Sequence, residues 1–514
     1  MSENSQFFNP QLKHAQLLGL LLSFFLFFSL TIWLMIPAIP AGFYWDDAWY
    51  LLMAEWYAEQ SDQQQLVWDM MQHRQYPPLL PYILSFTNNV LFDQTGANLV
   101  NGFFLAMGTS LTVILLVHEK VPVSIAFVAA SLIVILPVAL GLMPFVISEH
   151  LYILLTTLTL LLVARSQRSE TLFNWLLIGF LTGLCVATRT AGWMMVLAAL
   201  SSLIGQRQFT RLRFYVPGLI AGLLVTVYLR AGLPTRPGYL SIYLQEIRET
   251  GPIYLINQVS PFLDGWLGLW DSPLVAITTG MIMLPGLVIR LSEHKIDAWY
   301  LLFSLLLIYI WPFPEQYARF LWVLLPSILL AMFSTVNLIN LPRRRKLISA
   351  ALVLFLAGMN IEDGLARSSL RLINMPDDGV PAYSRMREWT RAPNRDVGKA
   401  SLRVVEQLMQ DMESIKQHVE KDDCIYSDWP SIVFMHTLVP TYPVEGFPNQ
   451  SMDTIGENCE HYYALPWMWL KDETRDLKSL EKNSNVIFRS TTLNSNAQVS
   501  TVGIFFSVKP RNWD

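Results

Sequence analysis

Apolar residues in this chain gather into long runs that are separated by short polar loops. A helix needs about 20 consecutive, mostly apolar residues to cross the hydrocarbon core of a bilayer. Runs of this kind lie near residues 17–39, 97–117, 122–141, 145–164, 172–188, 190–206, 214–231, 272–290, 298–312, 318–340 and 346–361. The pattern predicts a mainly α, multi-pass membrane protein with about 11 transmembrane helices.

The last part of the chain has a different pattern. Charged residues are sparse up to about residue 360 and frequent after it. Residues 402–419 have the periodicity of an amphipathic helix. Three short segments have the composition of strands, namely 424–426, 486–489 and 502–508. We therefore predict a membrane domain over residues 1–361 and a small water-soluble α/β domain over residues 362–514.

The composition of the chain indicates its environment, and the placement of basic residues indicates its orientation in the membrane. Only 15% of the residues are charged, against about 25% in soluble domains. Four basic loops fall on the same side of the alternating runs: Arg165/Arg168, Arg207/Arg211/Arg213, Arg290/Lys295 and Arg343–Lys346. Such loops face the cytoplasm, so we predict a cytoplasmic N-terminus and an exported C-terminal domain. The net charge of −4 argues against a nucleic-acid partner.

This orientation places the segment 40–96 and the tail cysteines outside the cytoplasm. The segment 40–96 is rich in Trp and Tyr, which predicts interfacial helices along the membrane surface. Cys185 lies in an apolar run and is typical of a small buried hydrophobic residue. Cys424 and Cys459 lie in the exported domain, where oxidising conditions allow a disulfide. We predict that these two cysteines pair.

An acidic pair, Asp46 and Asp47, follows the first apolar run among the aromatic residues Trp45, Trp49 and Tyr50. Ionisable groups near membrane depth are candidates for function. One carboxylate could act as a general base while its neighbour holds a partner, a metal ion or a proton. The alternative is a solvated pair that caps the next helix, since Asp is a favoured N-cap. The motif alone favours this alternative.

Further polar residues face the same exported side. Glu149 begins one apolar run, Arg189 lies between two runs, and Arg319 begins another. A lone arginine at a helix end often extends to the headgroups, but arginines that converge with carboxylates suit phosphate recognition. His73 adds a basic side chain ahead of the rigid turn that begins at Tyr76. The set suggests a site that holds a phosphate while a carboxylate activates a hydroxyl or amine.

These residues occur in an ordered series of short motifs. The motifs are Asp46-Asp47-x-x-Tyr50, Tyr76-Pro77-Pro78-Leu79, Ser148-Glu149-x-Leu151, Thr188-Arg189 followed by Gly192, and Tyr317-x-Arg319-Phe320 with Pro326. Together they resemble the GT-C glycosyltransferases of the dolichyl-phosphate-mannose protein mannosyltransferase and aminoarabinose transferase type. The resemblance covers roughly the first 330 residues. The chain has Asp47 where the family usually has Glu.

The resemblance implies a GT-C fold and an inverting transfer of sugar from a polyprenyl-phosphate donor on the exported side of a bacterial inner membrane. Asp46 would deprotonate the acceptor, and Asp47 would orient the acceptor or tune Asp46. Arg319 and Arg189 would hold the carrier phosphate. The cavity would be lined by Glu149, Tyr50, Trp45, Trp49, Tyr76, His73 and Tyr317. The acceptor could be a protein, a lipid or a polysaccharide. No metal cofactor is obligatory, although a divalent metal at Asp46 and Asp47 stays open.

Two other classes of function compete with this hypothesis. A secondary transporter would use the acids and arginines as a proton or substrate path. Transporters usually place such residues near the bilayer midplane and often contain internal repeats. Here the polar residues lie at helix ends on one side, and the sequence contains no evident repeat. A membrane scaffold or receptor would instead bind its partner through the C-terminal domain.

Overall fold

The computed structural model describes most of the helical core and parts of the tail. The described residues are 19, 22–31, 46–58, 67, 76–87, 95–143, 145–166, 172–231, 233, 248, 251, 253–270, 272–339, 342–373, 395–420, 423–427, 429–443, 461–464, 484–493 and 499–508.

Helices account for most of the described chain. They are α1 Leu22–Thr31, α2 Asp46–Ala58, α3 Leu79–Leu84, α4 Thr95–His118, α5 Val123–Ile135, α6 Pro137–Leu142, α7 Ser148–Ser166, α8 Leu172–Thr188, α9 Gly192–Gly205, α10 Phe209–Arg230, α11 Ile253–Asn257, α12 Val259–Trp270, α13 Pro273–Ser292, α14 Ile296–Tyr309, α15 Tyr317–Trp322, α16 Leu325–Asn337, α17 Pro342–Ile373, α18 Arg395–His418 and α19 Pro430–Thr437. The strands are β1 Ile425–Ser427, β2 Thr441–Pro443, β3 His461–Ala464, β4 Ser484–Leu493 and β5 Val499–Val508.

The chain divides into two compact units. Unit 1 contains Met1–Ile36, Tyr76–Leu84 and Thr95–Ser369, and unit 2 contains Pro37–Gln75, Ser85–Gln94 and Leu370–Asp514. The predicted boundary between residues 361 and 362 falls inside α17, close to the end of unit 1.

Apolar helices form unit 1. Among the described residues, four helices are long and apolar enough to cross a membrane, namely α4, α7, α10 and α13. Six shorter apolar helices accompany them: α1, α5, α8, α9, α14 and α16. On α10, large apolar side chains such as Ile220, Leu224 and Val227 are exposed on the surface of the protein. Such a surface is stable against lipid rather than water. The count of about 11 spans stays a prediction.

Proline divides two of the predicted spans. The run 122–141 forms α5 and α6, which are separated at Leu136. Leu136 has an extended backbone (φ −58°, ψ 143°) because it precedes Pro137, whose ring clashes with a helical neighbour. The run 318–340 is likewise divided into α15 and α16, with Pro326 in the first turn of α16. Prolines therefore make short helices where hydropathy alone predicts long ones.

Glycines allow α8 and α10 to pack closely. Gly179 and Gly183 on α8 face Gly218 and Gly222 on α10, and a Cβ atom at any of these positions would overlap the backbone of the other helix. Small residues spaced four apart are the usual device for close helix packing in membranes. This close contact fixes the position of the end of α8, where Arg189 follows.

A buried charge network joins four segments of unit 1. The guanidinium of Arg290 donates from Nε and Nη2 to the two carboxylate oxygens of Asp297, at 2.6 and 2.9 Å. Its Nη1 donates to Glu119 and to Ser334, both at 3.0 Å. Arg290 and Asp297 are almost fully buried. The network ties the last turn of α13 to the start of α14, the residue after α4, and α16.

Unit 2 contains a five-stranded mixed sheet in the order β2-β1-β3-β5-β4. Strand β1 is parallel to β2 and β3, whereas β5 is antiparallel to β3 and β4. Helix α18 packs on this sheet through Asp411, a buried carboxylate that accepts hydrogen bonds from Tyr463, Ser490 and Gln407. Burial raises the pKa of Asp411. A small sheet with a long helix agrees with the predicted α/β class.

Candidate functional site

Glu149 lies in the first turn of α7, and its side chain has no exposed surface. Ser148 begins the helix, and His150 follows with no exposed surface. A carboxylate near a helix N-terminus is stabilised by the helix dipole. Complete burial of a charged side chain is still costly, so it requires cationic partners.

Arg189 lies in the tight turn that connects α8 to α9. Its backbone N–H donates to Cys185 O at 3.0 Å, and its carbonyl accepts from Gly192 N at 2.8 Å. Gly192 packs against the backbone of Cys185 and Val186, and a Cβ atom there would overlap these groups. The glycine of the Thr-Arg-x-x-Gly motif is therefore required because the chain turns back on itself. The turn carries Arg189 at the end of two short helices.

Arg319 is carried by the short helix α15. Two buried contacts fix this helix: Trp322 Nε1 donates to Ile133 O at 2.9 Å, and the Tyr317 hydroxyl lies 2.6 Å from both Gln258 Oε1 and Trp311 O. Tyr317 also packs directly on Gly265 of α12. A short helix held from two sides leaves its Arg319 side chain little freedom.

The structure brings Glu149, Arg189 and Arg319 together in one buried cluster within unit 1. Arg319 Nε donates to Glu149 Oε1, and Arg189 Nη1 forms an ion pair with the same oxygen. Arg189 also donates to Ser148 Oγ at 3.2 Å, and its guanidinium lies 4.9 Å from the centre of the Phe320 ring. The side chain of Arg189 is 12% exposed and that of Arg319 is 3% exposed. Both guanidinium groups therefore lie in an environment of low dielectric constant.

Some buried polar atoms in this cluster have no hydrogen-bond partner among the residues that the structure describes. Within them, Glu149 Oε2 has no hydrogen-bond partner, and neither ring nitrogen of His150 has one. The His150 ring packs edge-on against Trp322, with centroids 5.7 Å apart. Buried polar groups are almost always satisfied. Unused groups beside two arginines mark a place where a polar ligand or water can bind.

The acidic pair lies in unit 2, in the first turn of α2. Asp47 is 2% exposed, and its Oδ1 accepts from Ala48 N at 2.9 Å, while Asp46 is half-buried. Trp49 and Tyr50 are buried on the same helix. Asp47 is therefore not a solvated capping residue. A third carboxylate on α2, Glu55, is also buried, and its burial raises its pKa.

The other predicted residues fall in several places. Tyr76 is buried in unit 1, and Tyr317 lies on α15 with Arg319. Trp45, His73 and Cys459 lie outside the described residues. Cys424 is in a disulfide, whereas Cys185 is a buried free thiol; the pairing with Cys459 stays a prediction. The described residues contain no group of three or more side chains of the types that bind metals.

Sequence reasoning did not assign roles to three residues that shape the cluster. Ser148 and His150 flank Glu149, and their position at the start of a helix beside a buried acid was the available signal. Gln258 lies between α11 and α12 and contacts Tyr317, which is 59 residues away. Nothing local to Gln258 indicates this contact.

Comparisons with known proteins agree with this geometry. The family model described as dolichyl-phosphate-mannose-protein mannosyltransferase matches residues 75–229, which include Glu149 and Arg189. No curated protein sequence matches the chain significantly. Among solved structures, the chain is similar to the crystal structure of ArnT from Cupriavidus metallidurans bound to undecaprenyl phosphate. The two chains are 12% identical, the TM-score is 0.55, and the alignment covers 95% of this chain and 97% of ArnT.

At this level of identity the structural likeness establishes the fold alone, and the family match is limited to residues 75–229. The expected mainly helical fold with a small C-terminal sheet is confirmed. The chain therefore shares its fold with ArnT and is similar, over residues 75–229, to the dolichyl-phosphate-mannose-protein mannosyltransferase family.

Proposed function

We propose that this protein takes a sugar from a polyprenyl-phosphate carrier and transfers it to an acceptor on the exported side of the membrane, with inversion at the anomeric carbon. The observation that carries the proposal is the buried meeting of Arg189 and Arg319, which come from separate helix ends. Guanidinium groups bind phosphate oxygens in a fixed fork geometry. The similar fold of ArnT, crystallised bound to undecaprenyl phosphate, supports a lipid phosphate as their ligand.

The arginines act on the leaving group. As the bond between the anomeric carbon and the phosphate oxygen breaks, its electron pair moves to the phosphate, where negative charge grows. Preorganised cations in a buried site stabilise such charge more effectively than water does. Ser148 and Phe320 hold the Arg189 guanidinium in place, and the anchored helix α15 holds Arg319.

Asp46 acts as the general base. It removes the proton of the acceptor as the acceptor oxygen or nitrogen forms a bond to the anomeric carbon, on the face opposite the departing phosphate. After transfer, the proton is on Asp46 and the electron pair of the broken bond is on the phosphate. Asp47 orients the acceptor or tunes Asp46. Trp45, Trp49 and Tyr50 stack on the sugar or exclude water from it. The support for these roles is the family resemblance and the burial of Asp47.

The proposed reaction requires a defined orientation of the protein in the membrane. The basic loops favour a cytoplasmic N-terminus in the bacterial inner membrane, with the C-terminal domain on the periplasmic side. A cysteine introduced near Gly379 should react with an impermeant thiol label in intact cells. Labelling that requires lysis would contradict the exported position of this domain.

Transfer itself is tested with purified protein, a panel of polyprenyl-phosphate sugars and cell-envelope fractions, with the mass of the product as the readout. Asp46→Asn should abolish product formation, and Asp47→Asn should reduce it. Asp264→Asn, which replaces an exposed aspartate on α12, is the matched control and should keep the parental rate. A parallel assay with a chelator tests whether a divalent metal takes part.

Two results would contradict the proposal. One is transfer that continues unchanged in both the Asp46 and the Asp47 variants, which would remove the assigned roles. The other is uptake of a solute into proteoliposomes without formation of any glycosylated product, which would favour a transporter.

A further inference from the structure

Helix α4 carries two buried asparagines near its N-terminal end. Asn101 is fully buried, and neither its Oδ1 nor its Nδ2 has a hydrogen-bond partner among the described residues. Asn98, one turn earlier, is 7% exposed, and its Oδ1 is likewise unpaired within the described chain. A buried amide without partners is costly, so such a side chain is expected where a polar ligand binds.

Other polar side chains of α4 form hydrogen bonds within the helix. The hydroxyls of Thr109, Ser110 and Thr112 each donate to the carbonyl oxygen four residues earlier, at 2.8, 2.8 and 2.9 Å. This is a common bond for a hydroxyl in a membrane helix. Asn101 lies in the same helix and forms no such bond. Its amide is therefore available to a group from outside the helix.

The packing of α4 on α7 places His150 on the face that meets Asn101. At Gly108, a Cβ atom would lie 3.0 Å from Ile153 Cγ2 and 3.1 Å from Leu154 N, so the two helices are in close contact. Helix α5 follows the end of α4 and returns toward the start of α7, so α4 and α7 run in the same direction. Asn101 lies two turns before Gly108, and His150 lies one turn before Leu154. Both side chains are therefore on the contacting faces, at levels that differ by about 5 Å along the helix axes.

The residues around His150 link these amides to the arginine cluster. Neither ring nitrogen of His150 has a partner in the part of the chain that the structure describes. Its ring lies edge-on to Trp322, with centroids 5.7 Å apart, and this contact uses neither nitrogen. The preceding residue is Glu149, whose Oε1 binds Arg189 and Arg319. Imidazole and amide groups thus lie next to the proposed phosphate site.

We infer that Asn101 and His150 are specificity-determining residues, which bind hydroxyl groups of the sugar that the donor lipid carries. This inference rests on the proposed function, because it requires the carrier phosphate at Arg189 and Arg319. In the donor, the anomeric carbon is bonded to that phosphate, so the sugar ring lies within a few atoms of the arginines. A hydroxyl group donates and accepts hydrogen bonds, as an amide and a neutral imidazole do. The matching ligand is a sugar with free hydroxyl groups.

The first test measures lipid binding to the purified full-length protein. One probe is undecaprenyl phosphate, and the other is the member of a panel of undecaprenyl phosphoryl hexoses and pentoses that the parent binds most tightly. Asn101→Leu should weaken binding of the sugar-bearing lipid by about tenfold, because a hydrogen-bonding partner of the sugar is lost. Binding of undecaprenyl phosphate should stay within about threefold of the parental value. His150→Phe should have the same selective effect.

A control variant and a stability measurement separate binding from a structural role. Thr109→Val removes a buried hydroxyl that is bonded within α4, and it should keep the parental affinities for both probes. Asn101→Leu should not lower the unfolding temperature of the lipid-free protein, because the amide that it removes has no partner in the described chain. A lower unfolding temperature with equal loss of affinity for both probes would identify a structural amide and overturn the inference.

The parent provides a test that needs no variant. Derivatives of the sugar-bearing probe that lack each ring hydroxyl in turn are compared with the intact probe. At least one deletion should weaken binding by about tenfold. In Asn101→Leu or His150→Phe, the same deletion should cost less than about threefold, because the partner of that hydroxyl is already absent. If no deletion changes the parental affinity by more than about threefold, the inference is overturned even when neither variant folds.

The outcomes also distinguish the inference from the proposed function. If the parent binds neither undecaprenyl phosphate nor any sugar-bearing lipid of the panel, the proposed function fails and the inference fails with it. If the parent binds these lipids and transfers the sugar, while both variants keep the parental preference for the sugar-bearing lipid, only the inference fails.

Discussion

Unit 1 contains two buried arginine–carboxylate clusters, and they are built on different plans. In one, Arg290 is bound by both oxygens of Asp297 and also by Glu119 and Ser334. In the other, two arginines share a single oxygen of Glu149. The first cluster has an excess of acid, and the second has an excess of base.

The clusters lie toward opposite ends of α9. Arg189 precedes the first residue of this helix, whereas Gln206, just past its last residue, donates to His294 O at 2.8 Å beside the start of α14. The helix has 14 residues and therefore spans about 21 Å. A charge network that satisfies its members holds helices together. A network with unused oxygen and nitrogen atoms is suited to bind something else.

The largest expected effect is on stability, at the satisfied cluster. Arg290→Met should lower the free energy of unfolding by about 3–5 kcal/mol, because it leaves Asp297 buried without its cation. Transfer per folded molecule should remain at the parental level. Denaturant unfolding in detergent, with the rate normalised to folded protein, checks both statements. The exposed Arg213→Met is the control. Loss of activity without loss of stability would reverse the assignment of the two clusters.

The next effect is on catalysis, at the incomplete cluster. Arg319→Ala should reduce the transfer rate by roughly 10²–10³-fold, or about 2.7–4 kcal/mol, because a cation that stabilises the leaving phosphate is lost. Its unfolding free energy should fall less than that of Arg290→Met, since Glu149 keeps Arg189 as a partner. The measurement is the transfer rate and the unfolding free energy of Arg319→Ala and Arg290→Met, compared side by side. Equal donor use by Arg319→Ala and the parent would count against a phosphate site.

A smaller effect concerns the helix that carries Arg319. Tyr317→Phe removes a buried hydroxyl that contacts Gln258 and Trp311, and should cost about 1–3 kcal/mol of stability. Tyr309→Phe removes a hydrogen bond of equal length to Leu255 O, but an exposed one, and should cost less. The two unfolding curves provide the measurement. Equal losses would show that burial of the Tyr317 contact adds nothing.

The smallest effect is the pH dependence of the satisfied cluster. Burial raises the pKa of Glu119, but His118 and the charge of Arg290 outweigh it and lower the pKa from 4.5 to about 2. Stability from Glu119 is therefore present above about pH 4.5 and is lost as the pH falls toward about 2. The unfolding temperature of Glu119→Gln should fall less over this range than that of the parent. Glu293→Gln, at a more exposed carboxylate, is the control, and a parental pH profile in Glu119→Gln would contradict the assignment.

Much of the fold was predictable because membrane helices are selected by hydrophobicity along the chain. The apolar runs correspond to helices such as α4, α7, α10 and α13, and the strand composition of the tail corresponds to β1, β4 and β5. Hydropathy did not predict the interruption before Pro137, since proline is apolar but restricts the residue before it. The close packing of α8 on α10 through glycines was not predicted, because which helices small residues bring together depends on the tertiary structure.

The candidate site was predicted in part. The types and order of Glu149, Arg189 and Arg319 indicated a phosphate site, and the structure brings all three together. The solvated alternative for the acidic pair does not hold for Asp47, because its side chain is buried. Burial depends on residues far along the chain, so a local motif could not indicate it.

The sequence by itself determined that this is a membrane protein with a distinct tail, and that acids and arginines lie at helix ends. These properties depend on local composition, because each helix must satisfy its own backbone within lipid. Only the tertiary structure decided that Arg189 and Arg319 share one oxygen of Glu149, while Arg290 is fully bound elsewhere. Charge pairing between residues as far apart as Glu149 and Arg319 depends on how helices pack. The glycines, prolines and buried aromatic anchors set that packing together.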